Sequence, residues 1–181
     1  MTADVIRAET PADIDRVRHL HRHAFADDPH VADLADALRA APASLEPLSL
    51  VATIADEVVG HVLLSASRLD APPRLVDVLV LSPIGVEPGH QGQGIGTRLI
   101  AHTLAAADAR GIPLVFLEGP PDYYGNRGFE PASAAGFRAP SLRIPDPAFQ
   151  AARLSSYEPW MTGTLVYSET FWALDCVGLR Q

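Results

Sequence analysis

Glycines crowd one short stretch in the middle of the chain, Gly89-His-Gln-Gly-Gln-Gly-Ile-Gly96. An apolar run over 78–86 precedes the stretch, and Ile95, Leu99 and Leu104 follow it at helical spacing. Glycines let successive backbone N–H groups point towards one place, and the first turn of a helix leaves N–H groups unpaired at the positive end of the helix dipole. This succession of strand, glycine loop and helix therefore predicts an anion-binding site that suits a phosphate.

Three kinds of phosphate-binding loop compete for this stretch, and residue spacing separates them. A P-loop requires a lysine after its last glycine, whereas all 14 basic residues of this chain are arginines. A dinucleotide-binding fingerprint requires a third glycine where Thr97 stands. The remaining pattern, Gln91-x-x-Gly94-x-Gly96, resembles the Q/R-x-x-G-x-G/A loop that binds the pyrophosphate of coenzyme A in the GNAT superfamily of N-acetyltransferases.

Two further motifs, one on each side of the loop, strengthen this resemblance. The run SPIGVEP over 82–88 is similar to the fourth strand of the GNAT fold, whose outward splay exposes N–H groups to the pantetheine arm. The run Tyr123-Tyr124-x-x-x-Gly128-Phe129 is similar to the aromatic motif that follows the fifth strand. With three motifs in the expected order, the chain is identified as a member of the superfamily. The runs Gly119-x-Pro121-x-Tyr123-Tyr124 and Gly163-x-Leu-x-Tyr167 most resemble its YhbS-like branch.

The resemblance implies a fold and a reaction. The implied fold is α/β (α+β), a single domain over 1–181 with a mixed central β-sheet of about six to seven strands, flanked by helices, with a splayed fourth strand. The implied reaction moves an acetyl group directly from acetyl-CoA to a primary amine of a small molecule or a protein, without a metal. Two alternatives stay open: a non-catalytic acyl-CoA-binding sensor, and a transferase that uses a longer acyl-CoA donor.

The resemblance also assigns residues to the acetyl-CoA site. The expected cofactor-binding residues are Ile84, Gly85, Val86, Gln91, Gly92, Gln93, Gly94, Ile95, Gly96 and Thr97. The N–H groups around Gly85 and Val86 are expected to meet the thioester carbonyl, and those of 92–97 the pyrophosphate. Because Arg98 is the closest of few nearby arginines, we expect backbone dipoles to bind the pyrophosphate more than side-chain charges do.

Transfer to an amine needs a neutral nucleophile and a protonated leaving thiol. An alkyl amine has an unperturbed pKa of about 10.4, so a base or a chain of waters must take its proton near pH 7. The resemblance places Tyr124 as the acid that protonates the departing thiolate, and the adjacent Tyr123 is interpreted as a packing aromatic. Glu118 and Asp77 are the acidic residues nearest the expected groove, and water-mediated deprotonation is the alternative to both.

Histidines recur at His19, His21 and His23 in the first predicted helix. His19 and His23 are four residues apart and could face a metal together. No acidic or cysteine ligand follows at a matching spacing, so a polar helix face is the preferred interpretation and no metal site is predicted. The same helix is also a candidate to line the acceptor groove.

Hydrophobic periodicity places the remaining elements. Helices are expected over 11–25, 31–40, 95–110 and 148–154. Strands are expected over 4–8, 48–55, 58–67, 78–86, 114–117 and 161–167. The tail, 171–181, has no assignment.

Composition limits the class of protein. With 181 residues, 48% apolar and 20% charged, the chain is typical of one soluble globular domain. Its net charge of -8 argues against a nucleic-acid partner. An acidic N-terminus and the lack of about 18 consecutive apolar residues argue against a signal peptide or a membrane span. The single cysteine, Cys176, fits a cytoplasmic protein, which we expect to be a monomer or homodimer.

Overall fold

One mixed sheet organises the computed structural model, which describes residues 5–179. Its nine strands in that range are β1 Val5–Ala8, β2 Leu48–Ile54, β3 Glu57–Asp70, β4 Leu75–Val86, β5 Leu114–Glu118, β6 Glu130–Pro131, β7 Phe137–Arg138, β8 Phe149–Arg153 and β9 Gly163–Val166. The α-helices are α1 Ile14–Ala24, α2 His30–Ala40, α3 Ile95–Ala109, α4 Pro121–Tyr124 and α5 Glu169–Ala173. Asp4, the first residue of the first expected strand, lies outside the described range, as do residues 180 and 181 of the tail.

Seven strands follow one path across the sheet, in the order β1-β2-β3-β4-β5-β8-β6. Strand β9 pairs with the end of β3 and with β7. The β4–β5 pair is parallel, whereas β2, β3 and β4 are antiparallel neighbours. The expected mixed sheet is thus confirmed, and the additional strands include β6 and β7, which are too short to show a hydrophobic period.

The expected helix over 148–154 is wrong, because this segment is strand β8. It pairs antiparallel with β5, where Glu118 lies opposite Phe149, and with β6 on its other edge. Four of its five residues are buried, and the polar one among them, Gln150, donates to the carbonyl of Gly119 over 3.0 Å. A short run that is buried on both faces shows no alternation of apolar and polar residues, so its pattern does not distinguish a strand from a helix.

Two glycines on neighbouring strands let helices approach the sheet from opposite faces. A Cβ on Gly60 of β3 would lie 2.9 Å from atoms of both Ile95 and Leu99, so α3 is in close contact there. A Cβ on Gly85 of β4 would lie 2.9 Å from Nδ1 of His21, so α1 is equally close on the other face. A residue with a side chain at either position would push the helix that packs there away from the sheet.

A buried polar network lies under α1. The Nε2 atom of His21 is 2.7 Å from Nδ1 of His61, and Nε2 of His61 is 2.8 Å from the hydroxyl of Ser49. That hydroxyl donates to Glu9 over 2.7 Å, and Glu9 also accepts two bonds from Arg39. Both histidines are fully buried, so the polar-face interpretation of the α1 histidines is wrong for His21. The sequence did not reveal its partners, which lie on other elements.

Burial lowers the pKa of both histidines to about 3, and the charges of neighbouring basic groups add to this effect. In the unfolded chain each would titrate near 6.5. Between pH 6.5 and 3 the unfolded state therefore binds more protons than the folded state, so stability falls as pH falls through this window.

Within residues 5–179, no helix is long and apolar enough to cross a bilayer. 

We predict that the buried histidine pair causes the loss of stability at acidic pH. Each buried histidine should lower the free energy of unfolding by roughly 1 kcal/mol per pH unit below pH 6.5. His21→Gln should reduce the dependence of the unfolding free energy on pH by the contribution of one histidine. His102→Gln, at an exposed position on α3, should keep the wild-type dependence. Urea titrations between pH 4 and 8 measure the slopes. Equal slopes in the wild type and both variants would show that the histidine pair does not cause the loss of stability in acid.

Candidate active site

The gap that forms the site opens where β4 and β5 stop pairing. These strands are in register only at Leu79 with Val115 and at Val80 with Phe116. Beyond this point β4 continues to Val86 along β3, and β5 continues to Glu118 along β8. The splay expected from the sequence is therefore present, and the gap is bordered by two strand ends.

Two backbone N–H groups of β4 face this gap. The N–H of Glu87 donates to the carbonyl of Val59 on β3 over 2.9 Å. Because N–H groups point to alternate sides along an antiparallel strand, those of Val86 and Ile84 point away from β3 and into the gap. The N–H of Gly85 points towards β3, so Gly85 contributes to the site through its missing side chain, while Ile84 and Val86 present the donors.

The glycine loop is fixed to the same strand. The side-chain amide of Gln91 donates to the carbonyl of Val86 over 3.0 Å. Gly92 and Gly94 have φ values of 74° and 80°, in the left-handed region that favours glycine, and Gly94 is the N-cap of α3. The unpaired N–H groups of the first turn of α3 therefore lie beside the end of β4.

A cavity of about 660 Å³, here called the loop cavity, lies between the loop, β4 and α4. All of the expected cofactor-binding residues except Gln93 line it. The side chain of Gln93 instead reaches back to the carbonyl of Gly89 over 3.4 Å.

Tyr123 and Arg127 also line the loop cavity, although no binding role was expected for either from the sequence. The guanidinium carbon of Arg127 lies 3.9 Å from the ring centroid of Tyr123, and its Nε donates to Thr97 over 2.9 Å. The hydroxyl of Tyr123 lies so close to Gly96 that a Cβ there would overlap it. Arg127 thus places a second cation, besides the expected Arg98, beside the loop. The spacing of four residues between Tyr123 and Arg127 was the available signal.

A second cavity of about 510 Å³, here called the tail cavity, lies between β4, the end of β5 and the C-terminal segment. Four residues line both cavities: Phe25, Ile84, Pro120 and Tyr124. The two cavities therefore meet at the gap in the sheet. Phe25 directly follows α1, so the end of the first helical segment borders the site, as the sequence suggested.

Tyr124 stands at this meeting point with only 8% of its surface exposed. Its ring packs against Gly119, where a Cβ would overlap it, and against the rings of Tyr123 and Phe129. Burial, followed by the neighbouring Tyr123, raises the pKa of Tyr124 to about 12. Its hydroxyl consequently stays protonated at neutral pH and can donate a hydrogen bond.

Glu118 is the acidic residue that the structure brings to the gap. One carboxylate oxygen accepts a bond from the hydroxyl of Tyr167 over 2.8 Å, and the other from the N–H of Gly178 over 3.0 Å. Burial raises the pKa of Glu118, and the two donors oppose this shift. Asp77, the other acidic candidate, is exposed, bonds to Ser44 over 3.0 Å and lines neither cavity.

The α1 histidines contribute no metal centre. Across residues 5–179, no three His, Cys, Asp or Glu side chains are grouped as metal ligands would be. The rings of His19 and His23 are 4.1 Å apart, and Nδ1 of His23 lies 3.4 Å from a carboxylate oxygen of Glu87.

Known sequences match the chain over most of its length. Residues 5–132 match the family described as acetyltransferase (GNAT) domain. The uncharacterized N-acetyltransferase YjhQ of Escherichia coli (strain K12) is 32% identical over 130 residues, which is 71% of each chain. The uncharacterized N-acetyltransferase YhbS of the same strain is 30% identical over 171 residues, 92% of this chain and 98% of YhbS.

Solved structures agree with these matches. E. coli YhbS, crystallised in complex with CoA, superposes with a TM-score of 0.83 at 28% identity, over 94% of this chain and 93% of that one. A GNAT family acetyltransferase from Brucella melitensis, in complex with acetyl-CoA, gives a TM-score of 0.74 at 28% identity, over 94% and 99% of the two chains. Together with the splayed strand and the glycine loop, these matches show that the chain belongs to the GNAT family of acetyltransferases.

Proposed function

We propose that this protein is an acetyl-CoA-dependent N-acetyltransferase in which the loop cavity holds the donor and the tail cavity holds a primary amine. The observation that carries the proposal is that the two cavities meet at the gap between β4 and β5, beside Tyr124. The CoA and acetyl-CoA complexes of the two similar structures support it. We further propose that residues 5–179 act as one domain, in the cytoplasm, as a monomer or homodimer.

Backbone groups do most of the donor binding in this proposal. The pyrophosphate lies against the N–H groups of 92–97 at the start of α3, with Arg127 adding a charge. The thioester carbonyl lies against the N–H groups of Ile84 and Val86. Removing one such oxyanion donor typically raises the barrier by about 3 kcal/mol.

Glu118 serves the deprotonation of the amine, and Tyr124 serves the departure of the thiolate. Glu118 takes a proton from the bound ammonium, and the neutral amine then attacks the thioester carbonyl. Attack leaves a positive charge on the nitrogen of the tetrahedral intermediate, and this nitrogen gives up a second proton to water. As the intermediate collapses, the C–S bond breaks, the electron pair leaves on sulfur and the amide forms. No enzyme-bound acyl group forms, and Glu118 returns its proton to solvent before the next turnover.

The pKa of Tyr124 limits what it does for the thiolate. A free thiol titrates near 8.5, about 3.5 units below Tyr124, so complete proton transfer would cost about 5 kcal/mol. Tyr124 therefore stabilises the thiolate with a hydrogen bond, and the proton itself arrives from solvent. This refines the general-acid role expected from the sequence.

Acetyl-CoA binding should depend on the space above Gly96. Gly96→Val adds a branched side chain that overlaps the hydroxyl of Tyr123 and fills part of the loop cavity, so the dissociation constant for acetyl-CoA should rise at least about tenfold. Gly89→Val is the matched control, because a Cβ there would meet open space. Calorimetry on folded proteins measures both. Wild-type affinity in Gly96→Val would show that the pyrophosphate binds elsewhere.

Tyr124→Phe keeps the ring and removes the hydroxyl. A hydrogen bond to a charged group is worth roughly 1.5–3 kcal/mol, so kcat should fall about 10- to 150-fold while acetyl-CoA affinity stays unchanged. Wild-type kcat should show no loss up to pH 10 from this group, since the tyrosine donates below a pKa of about 12. Tyr123→Phe should affect kcat much less. Equal, small effects from both changes would leave Tyr124 with a packing role alone.

Glu118→Gln should change the shape of the pH profile. Glu118 accepts a proton only when ionised, so wild-type kcat/KM should level off above its raised pKa and fall as pH drops through it. The variant should be at least about 100-fold slower at pH 7, and its kcat/KM should keep rising with pH without this plateau, because only the free amine then reacts. Asp77→Asn, at the exposed alternative, should behave as wild type. An unchanged profile in Glu118→Gln would assign deprotonation to water.

A further inference from the structure

The tail cavity combines apolar walls with carboxylates. Apolar lining side chains come from the segment after α1, from α2, from β4 and from the C-terminal segment, and they include Phe25, Val31, Leu34, Pro83, Phe171 and Leu174. Three carboxylates share the lining: Asp28, Glu118 and Asp175. Among the described lining residues there is no arginine, and the chain has no lysine.

The three carboxylates all act on the thiol of Cys176, which also lines the cavity. Burial raises the pKa of this thiol, and the negative charges of Asp28, Asp175 and Glu118 raise it further. Arg143 lies 3.6 Å from Asp175 and lowers the pKa of Glu118, but it does not line the cavity. The described lining therefore offers a bound molecule three carboxylates and no guanidinium group.

We propose that the acceptor is a small primary amine with an apolar aryl or alkyl body and no carboxylate. This inference rests on the proposed function and names the substrate class for the same site. The ammonium group is attracted to Glu118, beside the gap, and the apolar body packs against Phe171 and its neighbours in α2. A volume of about 510 Å³ suits a small molecule of this kind.

An amino acid meets a different environment in the same cavity. Its carboxylate would enter a cavity whose described lining holds three carboxylates and no arginine. Such a group loses part of its hydration without gaining a guanidinium partner. It is repelled most by the half-buried Glu118, and less by Asp28 and Asp175, which are exposed and screened by water. The cavity should therefore reject the amino acid while accepting the amine that has the same side chain.

Three acceptors separate the effect of the acceptor's negative charge from the effect of its size. They are 2-phenylethylamine, L-phenylalanine and L-phenylalaninamide, which share the aryl group and the primary amine; the amide has the shape of the amino acid without its negative charge. With acetyl-CoA as donor, thiol release gives kcat/KM for each. We expect phenylethylamine to exceed phenylalanine at least about 100-fold, and the amide to lie within about tenfold of phenylethylamine.

Two variants test the origin of the discrimination. Asp28→Asn removes one carboxylate but keeps the oxygen that accepts the N–H of His30, so the preference for phenylethylamine over phenylalanine should narrow several-fold. Asp27→Asn is the matched control, because Asp27 is the exposed neighbour and does not line the cavity. It should keep the wild-type preference.

The outcomes distinguish this inference from the proposed function. Three results would overturn the inference and still leave an N-acetyltransferase. They are a kcat/KM for phenylalanine comparable to that for phenylethylamine, a kcat/KM for the amide as low as that for phenylalanine, and turnover of a lysine-containing peptide alone. Equal preferences in Asp28→Asn and wild type would overturn the electrostatic argument. If acetyl-CoA binds but no amine, amino acid or peptide of the panel releases thiol, both the inference and the proposed function fail.

Discussion

The early end of the β4–β5 pairing is the constraint on which the rest of the site depends. Two parallel strands that stayed paired would satisfy each other's N–H groups and close the sheet. Here β4 continues along β3 alone after Val80, and β5 continues along β8. One deviation thereby produces free donors at Ile84 and Val86, an opening for each substrate, and a single place where the two openings meet.

A strand with one open edge needs support from its other contacts. Strand β4 has this support in its long antiparallel pairing with β3 and in the close approach of α1 at Gly85. Just beyond the strand, the buried carboxylate of Glu87 pairs with Arg16 of α1 over 2.8 Å. The histidine network under α1 fills the space behind the same strand. Contacts on its other edge, on one face and at its end therefore hold β4 in place beside the gap.

The parts of the site that could be predicted from sequence are local in sequence. The loop from Gln91 to Gly96 joins a strand to a helix, so its residue types and spacing carry the information. Arg127 and Thr97 are 30 residues apart in the sequence, and His21 and His61 are 40 residues apart. Neither contact produces a periodic pattern that could be recognised in the sequence. Strand β8 was predicted wrongly for another reason: its first four residues are all buried, so the strand shows no alternation of buried and exposed positions.

The contact between Glu118 and Gly178 has a consequence for how the protein is made. Sixty positions separate the two residues, and a ribosome needs roughly 3–12 seconds to add them at 5–20 residues per second. During that interval the glutamate and the glycine loop have been synthesised, while Tyr167 and Gly178, which donate to the glutamate, have not. The tail cavity, whose other walls come from residues 25–34 and 80–84, is therefore completed only when this last segment has left the ribosome.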